Sequence, residues 1–224
     1  MGGLVVVDIT VSVDGYVTAP GAGPEHGLGV GGEPIHTWVM EGTDVDRAVL
    51  EEAYRETGAV VMGRRLFDVV DGPLGWNEEM GYGGRRDQTV QPPYFVVTHR
   101  PPERMRLRGD FTFVTEGVAA AVERARAVAG ERNVVVMGGA SVCVQSVAAG
   151  VVDEIHLHLA PYLLGGGTRL FEQLPIGAGA GTGTSAGAGA GALRLEIVRV
   201  AESPHATHLV YRVRGSAPAG PATG

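Results

Sequence analysis

One cysteine, Cys143, stands in 224 residues, so no intramolecular disulfide can form. A reducing compartment, the cytoplasm, is the expected location. Positive charge is also in short supply. Lys and Arg total 18 against 25 Asp and Glu, a formal net charge of -7. Nucleic-acid surfaces are normally basic, so no nucleic-acid partner is expected. No apolar run approaches the roughly 18 residues of a membrane span, and no membrane partner is expected. The opening MGGLVVVDITVS lacks a basic n-region and runs straight into a strand pattern, which is not the grammar of a secretory signal. A nucleophile elbow and a long Walker loop are both missing, so hydrolase and NTPase chemistry find no support. No internal repeat is visible.

Glycine, by contrast, is abundant, with 36 residues. Part of it is local: IGAGAGTGTSAGAGAGA, Ile176 to Ala192, has almost no side chain to bury and reads as a flexible insertion over 177–192. GSAPAGPATG, 215–224, reads as a disordered tail. What remains suits a single domain over 1–214.

The most informative stretch is NVVVMGGASVCVQSVAAGVVDEIHLHLAPYLLGGGTRLF, Asn133 to Phe171. An apolar strand ends in Gly138-Gly139, a helix follows from Ser141 to about Ala149, and a second strand alternates. Ile155, Leu157 and Leu159 fall on one face of that strand, His156 and His158 on the other. Strand, glycine turn, helix, strand is the pattern of a parallel sheet. Gly138, Gly139, Ala140 and Ser141 offer backbone N–H groups at a helix start, a cradle for a pyrophosphate. A plain tight turn fits the same residues.

Elsewhere Leu4 to Ser12 is a central strand, covered on both faces. Gly21 to Pro34 is a long loop. Thr43 to Thr57 is a helix with Val45, Val49, Ala53 and Tyr54 as its buried stripe and Gly58 as its stop. Strands are expected at Ala59 to Met62, Tyr94 to Thr98 and Phe111 to Val114, a helix at Gly117 to Ala129, and a long loop at Asp71 to Pro93. Leu193 to Val200 and His208 to Val213 alternate and form an antiparallel pair turning near Ser203-Pro204. The expected architecture is α/β, a mostly parallel sheet flanked by helices with an antiparallel C-terminal hairpin. In such sheets ligands bind beyond the carboxyl ends of the strands. Gly63, Arg64 and Arg65, then Thr98, His99 and Arg100, and the glycine cradle should therefore line one crevice.

These segments carry a resemblance. VSVDGYVTAPG at Val11 to Gly21, VVMGRRLFD at Val60 to Asp68, YFVVTHR at Tyr94 to Arg100, and the Asn133 to Phe171 stretch occur in the order of the dihydrofolate reductase superfamily. The chain most resembles the C-terminal reductase domain of the bifunctional riboflavin-biosynthesis deaminase-reductase and its stand-alone bacterial relatives. The resemblance implies a dihydrofolate-reductase-like three-layer fold, a homodimer, and an NADPH-dependent reductase acting on a small molecule, a pterin-like or ribosylaminopyrimidine-like ring. A nucleotide- or flavin-binding protein that keeps the fold without turnover is the alternative. It also implies that the adenosine phosphate lies near His99 and Arg100, and that Leu164, Gly165 and Gly166 lie near the nicotinamide.

Chemistry assigns the other candidates. Arginine forks suit phosphate, which makes Arg64, Arg65 and Arg100 candidates for selecting NADPH over NADH. Asp14 is the candidate catalytic residue, by bonding a ring N–H or relaying a proton; a turn former beside Gly15 is its simpler role. Trp38 and Trp76 are candidates for stacking on a planar substrate, or plugs of the core. His156 and His158 read as a structural pair, since no carboxylate or cysteine partner for a metal is evident. Cys143 reads as core packing.

Overall fold

The computed structural model describes residues 2–174 and 192–214. The glycine-alanine insertion, apart from Ala192, and the tail at 215–224 lie outside the described residues.

β1 (Val5–Ser12) leads through a turn to β2 (Tyr16–Thr18). After the glycine-rich loop a 3-10 turn (Glu33–His36) and a short α1 (Thr37–Met40) precede α2 (Asp44–Glu56). β3 (Thr57–Gly63) and α3 (Arg64–Asp71) follow, then a small hairpin of β4 (Met80–Gly81) and β5 (Gly84–Arg85). β6 (Tyr94–Val97), β7 (Phe111–Val114), α4 (Val118–Ala129), β8 (Asn133–Gly138) and α5 (Ala140–Ala148) continue the chain. The remainder is β9 (Glu154–Ala160), β10 (Thr168–Arg169), β11 (Arg194–Glu202) and β12 (Thr207–Arg214).

Eight strands form one sheet in the order β11-β12-β9-β1-β8-β3-β6-β7. The six strands from β9 to β7 are parallel, and β12 runs antiparallel to both of its neighbours. This is the expected mostly parallel sheet with an antiparallel C-terminal hairpin. The order follows from composition. Val-rich β1, β3 and β8 need cover on both faces and lie inside, while β11, exposed along almost its whole length and carrying Arg194, Glu196, Arg199 and Glu202, lies at the sheet's edge. β10, which pairs with β2, is too short for a periodicity signal.

Alternation along the strands sorts side chains onto two faces. Val5, Val7, Ile9 and Val11 of β1, with Val61 and Val136, pack against Ala121, Val122 and Ala125 of α4 and against Val142 and Cys143 of α5. Cys143 is fully buried there and its thiol is pushed up to about 12 by burial, so its packing role is as expected. The opposite face carries Met62, Phe67, Tyr82, Tyr94 and Val96 at one end. Its other end lies beneath α2 and is polar.

α2 departs from the expected pattern. Its capping box is present, with Thr43 and Asp46 bonded reciprocally. Yet Val45 is 40% exposed, and the buried residue of the helix is Asp46. The first turn is pulled down by its carboxylate, which bonds Ser203 and the buried His208 below, rather than by an apolar stripe.

Candidate functional site

The parallel strands place five of the candidate segments along one edge. Ser12 pairs with Ala160, Met62 with Gly138, and Gly63 with Val97, so β1 ends beside β9, and β8, β3 and β6 end side by side at the same edge of the sheet. Beyond those ends stand Asp14, Leu164 to Gly166, Gly138 to Ser141, Gly63 to Arg65, and Thr98 to Arg100. The residues nominated for a cofactor thus converge on one rim.

Along this rim backbone dominates. Gly139 caps α5, and its peptide bond with Gly138 is cis. Gly138 has φ of 127°, a left-handed value that favours glycine. A Cβ on Gly139 would meet nothing within 4 Å, so the α5 N-terminus opens onto free space. Helix N-terminal N–H groups have no intrahelical acceptor, which makes this opening suited to an anion. At Gly63 a Cβ would stand 2.8 Å from Val142 Cγ2, so glycine there lets α5 pack close to β3.

Arg64 is anchored: its Nε donates to Asp68 at 2.7 Å and its Nη1 donates to the Arg100 carbonyl at 2.6 Å. It therefore ties the end of β3 to the loop after β6. Thr98 is buried and donates from Oγ1 to the Arg100 carbonyl at 2.8 Å, shaping the same loop. Arg65, His99 and Arg100 are exposed. Arg100 faces Glu103 at 3.9 Å, with both side chains largely in solvent.

Asp14 is fully engaged. Its Oδ1 accepts from Ser12 Oγ at 2.6 Å and Leu164 N–H at 3.1 Å, and its Oδ2 accepts from Gly165 N–H at 2.7 Å. The Ser12 hydroxyl and those N–H groups hold the carboxyl at about 2. Asp14 is thus an anionic clasp that orders the loop bearing Leu164, Gly165 and Gly166.

The second part of the site lies on the polar face, beneath α2. A cleft of about 340 Å³ is lined by Asp8, Glu52, Glu154, His156 and His208 among others. A smaller cavity of about 50 Å³ is lined by Trp38, Leu50, Tyr54, Tyr82 and Met137. Asp8 and His158 line both, with Val49 and Ala53 of α2 above them. Met137 joins this region to the rim, because the glycine cradle follows it at once.

Trp38 is 5% exposed, donates from Nε1 to Thr10 Oγ1 at 3.0 Å, and lies over His158 at 4.3 Å between ring centroids. The structure brings it into the cavity. Trp76 is elsewhere, 5.6 Å from the Tyr94 ring in the aromatic cluster around Phe67. It lines neither cavity.

Sequence reasoning missed Asp8, Asp46 and His208. Asp8 Oδ1 is 3.0 Å from His158 Nε2, His158 Nδ1 is 2.8 Å from His208 Nδ1, and His208 Nε2 is 3.0 Å from Asp46 Oδ1. Burial alone would raise the Asp8 carboxyl. The charge and hydrogen bond of His158, with His156 and His208 beyond, outweigh it and hold Asp8 below the usual range. Burial likewise opposes ionisation of Asp46, but bonds from Ser203 and Thr43 bring it to about 2. His208 is held low by burial and by its neighbour His158. The signal available in the sequence was a lone aspartate inside the apolar run VVVDITV. His158 therefore does have carboxylate company, through Asp8.

The RibD C-terminal domain model matches residues 4–209. The chain belongs to that family. No curated protein matches it. Solved structures share its fold at low identity. A proposed riboflavin biosynthesis protein from Shewanella sp. PV-4 is 19% identical, with a TM-score of 0.62, covering 94% of this chain and 99% of that one. The Thermotoga maritima diaminohydroxyphosphoribosylaminopyrimidine deaminase/5-amino-6-(5-phosphoribosylamino)uracil reductase is 14% identical, with a TM-score of 0.57, over 95% of this chain and 57% of that one. Dihydrofolate reductase from Enterococcus faecalis, solved with NADP(H), is 13% identical, with a TM-score of 0.51, over 95% and 98%. The α/β sheet of this RibD C-terminal domain protein is thus of the dihydrofolate reductase type, and the Thermotoga and Enterococcus proteins are reductases.

Proposed function

We propose that the protein is an NADPH-dependent reductase of a pterin-like or ribosylaminopyrimidine-like ring. The observation that carries this reading is the adjacency of the two half-sites: β8 lends Met137 to the small, largely apolar cavity beneath α2, which shares Asp8 and His158 with the larger cleft, and its next residues, Gly138 and Gly139, open the rim. The open space at Gly139 and Gly165 fits a phosphate-bearing cofactor approaching backbone. In this reading Gly138 to Ser141 hold the pyrophosphate, Arg65, His99 and Arg100 face the 2′-phosphate, and Leu164 to Gly166 lie beside the nicotinamide. The bound cofactor supplies the hydride. Asp14 orders the Leu164–Gly166 loop, Arg64 and Thr98 shape the Arg100 loop, and α2 with Trp38 excludes water from the ring. Trp76 supports the scaffold.

The same reading places the protein in the cytoplasm as a homodimer. The outer strand β11 exposes Leu195, Ile197, Val198 and Val200, an apolar edge that a second copy would cover. Among the described residues no helix is long and apolar enough to cross a membrane.

NADPH oxidation followed by absorbance against pterins, dihydrofolate and ribosylaminopyrimidines tests the activity. Oxidation with one ring class is expected. Binding of NADPH without oxidation of any ring would favour a non-catalytic nucleotide-binding protein, a reading that the full engagement of Asp14 keeps in view. Arg65→Ala or Arg100→Ala should weaken NADPH roughly 10- to 100-fold and leave NADH nearly unchanged, since a charge-assisted bond is worth about 1.5–3 kcal/mol. Arg64→Ala should weaken both cofactors alike, because its guanidinium holds the loop. Equal losses in all three variants would overturn the 2′-phosphate assignment.

A further inference from the structure

The contacts of the buried chain Asp8–His158–His208–Asp46 constrain its proton count. Three contacts link its four side chains, and each needs one hydrogen between its heavy atoms. Asp46 cannot supply one. Its Oδ2 accepts from the Thr43 N–H and hydroxyl, both at 2.7 Å, and its Oδ1 accepts from Ser203 Oγ at 2.6 Å. His208 Nε2 must therefore carry the hydrogen of its own contact. Asp8, anionic beside an imidazole, takes its hydrogen from His158 Nε2 in the same way. The middle contact joins two Nδ1 atoms at 2.8 Å, where two bare lone pairs would repel, so one of them is protonated as well. Two neutral imidazoles carry two ring protons in all; this arrangement needs three. With all three contacts hydrogen-bonded, the pair carries one surplus proton, a single shared imidazolium between two carboxylates.

Each end of the chain has a distinct surrounding. Ser203 sits in the β11–β12 turn, partly exposed. Asp8, whose side chain is 19% exposed, lines both cavities. We infer that this chain is a proton relay that opens on the cleft, anchored at its far end by Asp46, with Asp8 as the group that protonates the bound ring. This rests on the reductase reading above.

The step balances as follows. A ring C=N gains a hydride at carbon from a reduced nicotinamide, the class of donor named above, which is oxidised by two electrons. Its nitrogen forms a new N–H bond. That proton is the Nε2 proton of His158, passed through Asp8, which is anionic before and after the step. His158 is left neutral, its remaining proton on Nδ1 donated to His208 Nδ1. Solvent in the cleft then returns one proton to His158 Nε2 by way of Asp8. Asp8 is the catalytic residue of this step; His158, His208 and Asp46 are positioning residues.

Other charges face the chain. On β9 Glu154 and His156 flank His158, with Arg212 of β12 3.2 Å from Glu154. From α2 Glu52 and Glu56 line the cleft, and Arg199 of β11 pairs with Glu52 at 2.6 Å. His36, which burial and the charge of His158 push down to about 4, stays neutral on the other side, as does Tyr82. None of these groups hydrogen-bonds to Asp8, His158, His208 or Asp46.

Nitrogen-15 NMR of histidine-labelled apo-protein tests the proton count with no cofactor present. The expected result is a scalar coupling between the two Nδ1 atoms across one N–H···N bond near neutral pH, lost in His208→Gln. Two rings that titrate independently, with no coupling in the wild type, would overturn the relay. Kinetics then test delivery. With cofactor saturating, wild-type turnover should vary little from pH 6 to 8, whereas folded His208→Gln should lose about tenfold per pH unit as solvent becomes the proton source. Asp8→Asn should be slow at every pH, by roughly 100-fold or more. Parallel pH profiles for wild type and His208→Gln would overturn delivery through the chain. If wild-type protein oxidises NADPH with no ring at all, the reductase reading fails while the coupling still decides the proton count. Thermal melting and cofactor binding by each variant separate a folding defect from a lost relay.

Discussion

The two faces of one sheet solve opposite problems. On the α4–α5 face, Val5, Val7, Val61 and Val136 meet Ala121, Val122 and Ala125, and nothing there needs a specific partner. On the α2 face the same strands present Asp8, Thr10 and His158, and β12 adds His208, all 3–5% exposed by residue except the more open Asp8. Strand alternation makes this possible: neighbouring positions of β1 serve different layers. The apolar face holds the fold by area, the polar face by pairing. A polar cluster so placed stabilises little compared with an apolar one of equal volume, and its retention beneath α2 fits a chemical task.

This contrast is breakable in graded steps. The largest effect should come from Val136→Asp, which buries a charge with no partner; the loss of more than about 4 kcal/mol should leave little folded protein by circular dichroism. Next, Asp8→Val should cost about 3 kcal/mol in chemical denaturation, because it strands the His158 N–H. The triple variant Asp8→Val, His158→Leu, His208→Leu should recover most of that loss while abolishing turnover. If the triple variant is less stable than Asp8→Val, the polar face is a structural requirement and the contrast fails.

Acid should separate the faces without mutation. Asp46 titrates at about 2 when folded against 3.8 when free, so its contribution is complete above pH 3.8 and is lost as pH falls from there through 2. His36, at about 4 when folded against 6.5, works over a different window: the unfolded chain binds a proton that the folded chain refuses, so stability falls as pH drops from 6.5 to 4. Denaturation at stepped pH should show both slopes, the lower reduced by Asp46→Asn and the upper by His36→Gln. The smallest effect is expected for Trp38→Phe, about 1 kcal/mol for the bond to Thr10.

The apolar face was the legible one. Continuous apolar runs gave β1 and β8, period-two alternation gave β9, and helical patterns gave α4 and α5, each within a residue or two, and the glycines at strand ends marked the rim. Gly138, Gly63 and Thr98 indeed lie in one line. The polar face was hidden for a physical reason: its members make sense only in pairs, and the pairs are distant in sequence. Asp8 and His158 are 150 residues apart, and Asp46 and His208 are 162 apart. Val45 drew attention in α2 because periodicity rewards apolar residues, whereas Asp46 is buried by bonds that no local pattern encodes. Trp38 and Trp76 looked equivalent as loop tryptophans; the fold alone assigns one to the cavity and the other to the Phe67 cluster.

β12 enters the sheet between β11 and β9 and brings His208 with it. During synthesis the ribosome releases Asp8, Asp46, the whole glycine rim and His158 before His208 exists. A nascent chain that has reached β10 therefore has its rim segments but a broken imidazole pair. Maturation of the polar face coincides with the docking of the last described strand, so the order of translation itself delays its assembly until that strand is in place.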